Sequence, residues 1–512
     1  MVNKYSRDQQ IMQHRLKLTF TLYLNFTSAC WFCVIFVGMR KLLVLLFGIV
    51  PTVLIAQTDK WDLRRCVEYA VANNISVKQA DVQARIAGLE YKQANLNMYP
   101  TANFGTGIGM QFGRSIDPTS NQFTTTQLLY QGYQLQGNAT IFNFGRLQHI
   151  RKAADFSAQA ALTDVARVKN DISLNVATYY LQVLAAGEQI NITRVQIEQT
   201  TAQYNNTKAR VDAGSLPPLN LAEIEAQLAS DSANLVTAEV TYKQTLLALK
   251  GLLALDAATP FEVATPPLDA IPMESLADLQ PEAVYGMAYS TFPQQKANRL
   301  RIEAAGHNIK AARAAMFPVI GGNYNLSTTY NNQAQRLVSF TTTMEPAGTV
   351  TVNGTPYTVY APNVSNPVFS KTSYGTQLDQ NFQQSVGLNL SIPIFNNGFA
   401  RINHQRSKLQ LQSAELTRTQ ADIQLKQDIY TAYTNAEGSL RKYIASIKNV
   451  EAAQRAYDMA RKRYELDLLN TIDLITTQNR LQTAKLQLVS NRLDYVFRMK
   501  LLEFYKGQGL KL

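Results

Sequence analysis

Two periodicities alternate along this chain of 512 residues. From about Leu147 to Ala213, and again from about Arg401 to Leu468, polar and apolar positions recur with helical spacing; proline is absent and only Gly187 and Gly438 interrupt. About 66 residues at 1.5 Å each predict rods of roughly 100 Å, far longer than the helices of ordinary globular domains. Each rod is followed by a shorter helical stretch whose large apolar residues repeat every seven: Leu221, Leu228, Leu235, Tyr242 and Leu249, then Leu474, Leu481, Leu488, Tyr495 and Leu502. A repeat of seven asks for a coiled-coil partner, and the intervening Gln, Asn, Thr and Ala leave most of each circumference to water or to other helices. An ordinary helical bundle accounts for the stripes but not for rods of this length.

Ahead of each rod the period falls to two. Ala102, Phe104, Ile108, Met110 and Phe112 alternate with Asn103, Gly105, Gly107, Gly109 and Gln111, and Tyr133, Leu135, Ala139 and Ile141 alternate with Gln134, Gln136, Asn138 and Thr140. Ile320, Tyr324 and Leu326 repeat the pattern, as do Val386, Leu388, Leu390 and Ile392. Strands are predicted over 101–112, 133–143, 319–330 and 384–394. Their second face is Gly, Asn, Gln and Ser without charge, which suits strands between lipid and a wet lumen. A soluble sandwich also alternates and is the competing reading. Four strands cannot close a barrel and lipid tolerates no open edge, so in a membrane several chains must contribute to one barrel.

The two periods are written twice. Ile141 to Gly145 reads IFNFG and Ile394 to Gly398 reads IFNNG, and the same offset of 253 pairs Tyr180 with Tyr433, Tyr204 with Tyr457 and Leu221 with Leu474. Upstream the offset is 218, pairing Ala87-Gly88 with Ala305-Gly306 and Met98-Tyr99-Pro100 with Met316-Phe317-Pro318. Register kept over such distances implies rigid elements, because loops tolerate length changes. The chain divides into a first repeat, 57–256, with a helical hairpin over 147–252; a proline-rich linker, 257–281; and a second repeat, 282–507, with a hairpin over 401–506. Gly214-Ser215-Leu216-Pro217-Pro218 and Leu469-Asn470-Thr471 are the hairpin turns.

Met39-Arg40-Lys41 followed by the apolar run Leu42 to Ile55 reads as a secretory signal over 39–56, with a membrane anchor as the alternative. Residues 1–38 then read as a misassigned extension or, alternatively, a second hydrophobic segment. The formal charge of +12 falls to +7 without the first 56 residues, which hold six basic side chains and one acidic. The remaining basic residues are dispersed, and no basic and aromatic cluster points to nucleic acid. Cys30 and Cys33 lack the βαβ setting of a redox motif, and Cys66 is the one cysteine of the mature chain. His149, His307 and His404 do not fall in the spacing of a zinc-ligand set, so no metal site or cofactor is expected. Gly105, Gly107 and Gly109 lack the spacing of a phosphate loop, G-x-S-x-G is absent, and no enzyme is expected.

The order of these features resembles the TolC-type outer-membrane efflux family over Trp61 to Gly507. The resemblance is carried by Pro100 and Pro318 before strands, the two Ile-Phe-Asn-x-Gly junctions, Arg210-x3-Gly214-Ser215-Leu216 and Tyr464-x8-Asp473-Leu474. It implies a mainly α fold with membrane β: duplicated helical hairpins and four strands per chain, three chains forming a twelve-stranded barrel continued by a periplasmic helical barrel. It also implies a passive export duct in the cell outer membrane, served by a periplasmic adaptor protein and an inner-membrane transporter of RND or ABC type. By the same resemblance the gate involves Asp473, Thr476, Tyr464, Asn220 and Leu469, and the adaptor meets Gly214, Ser215, Leu216, Leu469 and Asn470. Thr476 replaces the family's second acid, and Leu469 and Asn220 replace its ionic lock. The gate is therefore expected to close through apolar and neutral hydrogen-bonded contacts, with one ring of Asp473. On the residues alone, Asp473 also reads as a helix N-cap, and the Gly-Ser tip as ordinary turn chemistry. Two further functions stay open. One is a trimeric adhesive stalk, with Asn331 to Gln383 as a surface loop, and the other is a soluble periplasmic scaffold.

Overall fold

A computed structural model describes residues 60–116, 123–265 and 274–508. The signal segment and the extension before it lie outside these residues. Lys60 and Pro260–Glu262 form a small unit of their own, with Lys60 Nζ 3.8 Å from Glu262; the rest of the described chain forms the main unit.

In the main unit the first repeat runs α1 (Leu63–Asn73), α2 (Ile75–Leu96), β1 (Thr101–Ile116), β2 (Phe123–Phe142), α3 (Arg146–Asp212) and α4 (Pro218–Leu253). The second runs α5 (Pro281–Thr291), α6 (Pro293–Ala314), β3 (Val319–Asn331), β4 (Gln335–Val352), β5 (Thr355–Lys371), α7 (Tyr374–Gln380), β6 (Gln383–Ser391), α8 (Phe399–Glu465) and α9 (Thr471–Lys506). The duplication holds to the residue in the hairpins: α3 and α8 both have 67 residues, and α4 and α9 both have 36. Each long helix spans roughly 100 Å.

One antiparallel sheet has the order β1-β2-β3-β6. Its register puts Phe104 opposite Leu135, Leu135 opposite Leu326 and Tyr324 opposite Val386, while Asn103, Gln136, Asn325 and Ser385 align on the other face. Gln134 Nε2 donates to Asn325 Oδ1 at 2.8 Å along that polar face. The apolar face is most open on the outer strands, where Val386 is 88% exposed and Ile394, in the junction below β6, is 94% exposed, while Leu135, Tyr324 and Leu326 on the central strands are half-buried. All four strands join helices at one end of the sheet.

Two expectations about strands are corrected. The described residues hold six strands rather than four, because 335–371 forms a separate β4–β5 hairpin about 60 Å long. Its strands are exposed on both faces, so no contrast between alternate residues marks them in the sequence. The sheet strands also differ in extent: β1 runs on to Ile116, β2 begins at Phe123, and β6 stops at Ser391, just before Ile392-Pro393, where the missing N–H of proline ends a ladder.

The repeated five-letter phrase is a backbone device. Its last two positions are both left-handed, Phe144 and Gly145 at φ 51° and 77°, Asn397 and Gly398 at 52° and 75°. Two successive left-handed residues turn the strand into the helix, and the second opens α3 and α8 as N-cap. Phe144 is held there between Phe142 and Phe317, with ring centroids 4.9 and 4.8 Å away.

The core changes character along the rods. Midway along the rods, α3 buries Val176, Tyr180, Leu181 and Leu184, and Tyr180 donates its hydroxyl to the Ala264 carbonyl at 2.7 Å. In the second repeat Ile429, Ala432, Met499 and Leu502 pack with Leu279 and Val284. Further along, α3 buries Thr193, Gln196, Thr200 and Thr207. The seam of α4 also differs from the predicted stripe: Leu228 and Leu235 are half-buried, and Ile224, Asp231 and Ala238, three residues on, are buried. A coiled-coil seam uses both sets of positions, and only the first set is conspicuously apolar. Cys66 is buried, and burial pushes its thiol up to about 12, so it stays protonated and unreactive.

His149, in the first turn of α3, places Nδ1 3.1 Å from Nδ1 of His307 on α6, an approach between helices that spacing along one helix does not reveal. No group of three or more His, Cys, Asp or Glu gathers around a metal-sized space among the described residues. Burial lowers both histidines from 6.5, with Lys310 and Lys152 adding to the shift. A depressed folded value favours the neutral rings, so the stability they contribute is complete above 6.5 and is lost as pH falls through the lowered value. Thermal midpoints should therefore decline on acidification below 6.5, and the double change His149→Phe, His307→Phe should flatten that decline. At the junction, a Cβ on Gly398 meets nothing closer than 3.7 Å, so Gly398→Ala tests backbone conformation alone. Denaturant unfolding should show a loss of about 1 kcal/mol, smaller for Gly398→Asn.

Candidate functional site

The two hairpin tips are built differently from one plan. In the first, Gly214 takes φ 74° and Ser215 folds back, its Oγ and its N–H both donating to the Arg210 carbonyl at 2.8 Å. Pro218 then opens α4 at a position that needs no amide hydrogen. In the second, the residue 253 positions after Gly214 is Asp467, which adopts the left-handed conformation with φ 59°. Asn470 caps α9 by accepting from the Asp473 N–H at 2.7 Å. The reading of Asp473 as the N-cap is thereby corrected: it occupies the third position of the helix, where a carboxylate favours the positive end of the helix dipole.

Tyr464 is 3% exposed, and its hydroxyl lies 3.2 Å from Thr207 Oγ1, across from one hairpin to the other. Leu469 packs on the same cluster, with Ala460, Leu474 and Tyr457. Asn220, in the first turn of α4, is half-buried with its N–H on the Pro217 carbonyl at 3.1 Å. Asp473 and Thr476 stand on the exposed side of α9, Thr476 Oγ1 donating to the Ile472 carbonyl at 2.8 Å. Gly214, Ser215 and Asn470 are exposed and Leu216 half-buried, so the tips offer backbone and small polar groups to solvent. Tyr464 and Leu469 are thus brought together, and Asp473, Thr476 and Asn220 are not part of that cluster.

The expectation of purely neutral contacts between hairpins is also corrected. Arg210, at the end of α3, pairs with Asp467 in the second tip. The left-handed backbone of Asp467 turns its carboxylate toward α3, a geometry that comparison of Leu469 and Asn220 with the family pattern could not reveal. Above the tips a polar seam continues this contact. Thr200 Oγ1 donates to Asp231 Oδ2 at 2.7 Å, Gln478 Nε2 donates to Thr200 Oγ1 at 3.0 Å, and Gln227 Nε2 donates to Asp231 Oδ1 at 2.7 Å. The signal in the sequence is the seven-residue spacing of Thr193, Thr200 and Thr207, which an apolar search passes over.

The hairpins and their polar seams can slide or splay only by exchanging hydrogen bonds, a property suited to opening rather than to catalysis. Residues 67–255 and 284–505 match the profile of the outer membrane efflux proteins. The chain belongs to that family. It is 25% identical over 350 residues to the pyoverdine export outer membrane protein OpmQ of Pseudomonas aeruginosa, covering 68% of this chain and 64% of that protein. It is 22% identical to the outer membrane protein TolC of Escherichia coli K12, over 90% of this chain and 84% of that one. Among solved structures, CusC superposes with a TM-score of 0.70 at 17% identity, covering 87% of this chain and 91% of the other, which shows the same fold. The protein is an outer-membrane component of an export system. None of its described helices is long and apolar enough to cross a membrane.

Tyr464→Phe strands a buried threonine hydroxyl and should lower stability by about 1–2 kcal/mol in denaturant unfolding. A double-mutant cycle on Arg210→Ala and Asp467→Ala should give a coupling below about 1 kcal/mol that shrinks in high salt, because the pair is partly solvated.

Proposed function

We propose that the chain acts as a homotrimer forming a passive duct from periplasm to exterior. The observation that carries this reading is the four-stranded sheet: an apolar face open to solvent along β1 and β6, a polar face without charge, and outer edges on β1 and β6 that no strand of the described chain pairs. Lipid permits neither open edge, and three copies of four strands give a twelve-stranded barrel wide enough for an aqueous bore. The helices that leave the same end of the sheet then continue the bore as a periplasmic helical barrel. A stalk without transport would not need this bore, and the relatives by name are export proteins.

The gate lies at the hairpin tips. Within each chain Tyr464, Leu469 and Thr207 hold the second hairpin against the first, and Arg210 with Asp467 adds a charge contact that solvent weakens. Three exposed Asp473 side chains around the axis form a ring that attracts cations, with Thr476 one turn above and Asn220 facing from the first hairpin. Gly214, Ser215, Leu216, Leu469 and Asn470 form the docking surface for a periplasmic adaptor, and an inner-membrane transporter of RND or ABC type supplies the energy.

Single-channel conductance of the purified protein in planar bilayers tests the reading. Small conductance blocked by divalent cations is expected, with Asp473→Ala removing the block and Tyr464→Phe raising the open fraction. A folded trimer that conducts under no condition overturns the duct, and conductance blocked equally in Asp473→Ala overturns the ring.

A further inference from the structure

The two repeats join their short and long helices end to end in different ways. In the first, Asn74 caps α2, and its Nδ2 donates to the Leu252 carbonyl in the last turn of α4 at 2.8 Å, stitching the joint shut. The offset of 218 brings Phe292 to that place in the second repeat, and α6 begins there with no side-chain cap. Behind the cap, Val77 and Ala80 are replaced by Gln295 and Asn298. These amides are 1% and 2% exposed, and Gln295 Oε1 and Asn298 Nδ2 have no hydrogen-bond partner. A buried amide oxygen without a donor costs stability that a valine there would not.

A cavity of about 470 Å³ opens at this second joint, walled by Asp171 of α3, Phe292 and Gln295 at the start of α6, Asp428 of α8 and Tyr505 of α9. Its size is that of a small-molecule site. Beside the donor groups of Asn170, Gln420 and Tyr505, its wall keeps three acceptors with capacity left. Asp171 uses Oδ2 for Arg167 Nη1 at 2.8 Å, and Asp428 uses Oδ1 for Gln424 Nε2 at 2.8 Å, so each carboxylate keeps a second oxygen, beside the unpartnered Oε1 of Gln295. Arg167 is engaged by Asp171 and by Asp164 at 3.7 Å, which leaves the wall with a surplus of negative charge. Burial, with Asp428 and Asp171 beside it, pushes the Tyr505 phenol up to about 12. The Phe292 and Tyr505 rings stack with centroids 5.6 Å apart and make an aromatic wall.

We propose that this cavity is a binding site for an organic cation with several N–H donors and a flat apolar body, one per chain. The cationic group donates to Gln295 Oε1 and to the free oxygens of Asp428 and Asp171, and the apolar body lies on the Phe292 and Tyr505 rings, where a cation is also attracted to the aromatic faces. The site uses no residue of the hairpin tips and stands whether or not the chain conducts.

Benzamidine, an amidinium on a phenyl ring, is the probe, titrated by calorimetry into the purified full-length protein in detergent beside neutral benzamide and anionic benzoate. Saturable binding of one benzamidine per chain is expected, with benzamide weaker by about tenfold or more and benzoate without measurable binding. Gln295→Val, which installs the residue of the first repeat, should weaken binding by about tenfold while raising the thermal midpoint, so lost binding cannot be ascribed to misfolding. Asp428→Asn should weaken benzamidine and leave benzamide unchanged. Absence of saturable binding, equal affinity for benzamide, or affinity unchanged in Gln295→Val would overturn the site.

Discussion

The backbone hydrogen bonds of the two outer strands constrain the protein more than any side chain does. β1 and β6 each turn an edge of N–H and C=O groups outward, and one face of the sheet between those edges is apolar and open to solvent along both strands. In water such a sheet would aggregate, and in lipid each orphan group costs several kcal/mol, so only a few of them match a whole domain's stability of about 5–15 kcal/mol. Closure against other copies satisfies both demands together. The rest follows from where the chain goes next, because every sheet strand meets its helix at the same end, and β2 and β6 pass into their long helices through two left-handed residues that fix the exit angle.

The long helices answer a second constraint. A helix of 67 residues has far more surface than one chain can cover, so large apolar packing is concentrated around the middle of the rods and gives way to threonine, glutamine and a buried aspartate toward the tips. An apolar seam resists separation uniformly, whereas a hydrogen-bonded one can trade partners with water. The tips add a charge pair and a tyrosine to that seam, and their exposed turns carry glycine, serine and asparagine. Stability is thus graded along the hairpins, with the loosest contacts where opening is proposed.

Duplication makes the differences between halves informative. Both tips require a left-handed residue, and the first supplies glycine while the second supplies aspartate, accepting about 1 kcal/mol of backbone strain and gaining a carboxylate aimed at Arg210. Both joints require a helix to start against the end of another. Asn74 seals one, and Phe292 with Gln295 leaves the other hollow and polar. In each case the backbone plan is shared and the side chain departs from it.

Periodicity and the internal repeat made most of the architecture legible: two helical hairpins, four sheet strands with one apolar face, and the junction phrase between them. The β4–β5 hairpin was hidden because neither of its faces is buried, which removes the alternation that marks a strand. The heptad of leucines indicated a seam but not the buried Asp231 beside it, since a polar seam residue carries no hydrophobic signal. Tyr464 and Leu469 were recognisable from motif order, whereas Thr207, Arg210 paired with Asp467, and the His149–His307 approach join residues 158 to 257 positions apart. Local pattern and turn chemistry act over a few residues, so the sequence by itself determined the elements, their order and their duplication. Which side chains meet across helices depends on rotation and register between rods, and those were decided only when the chain packed.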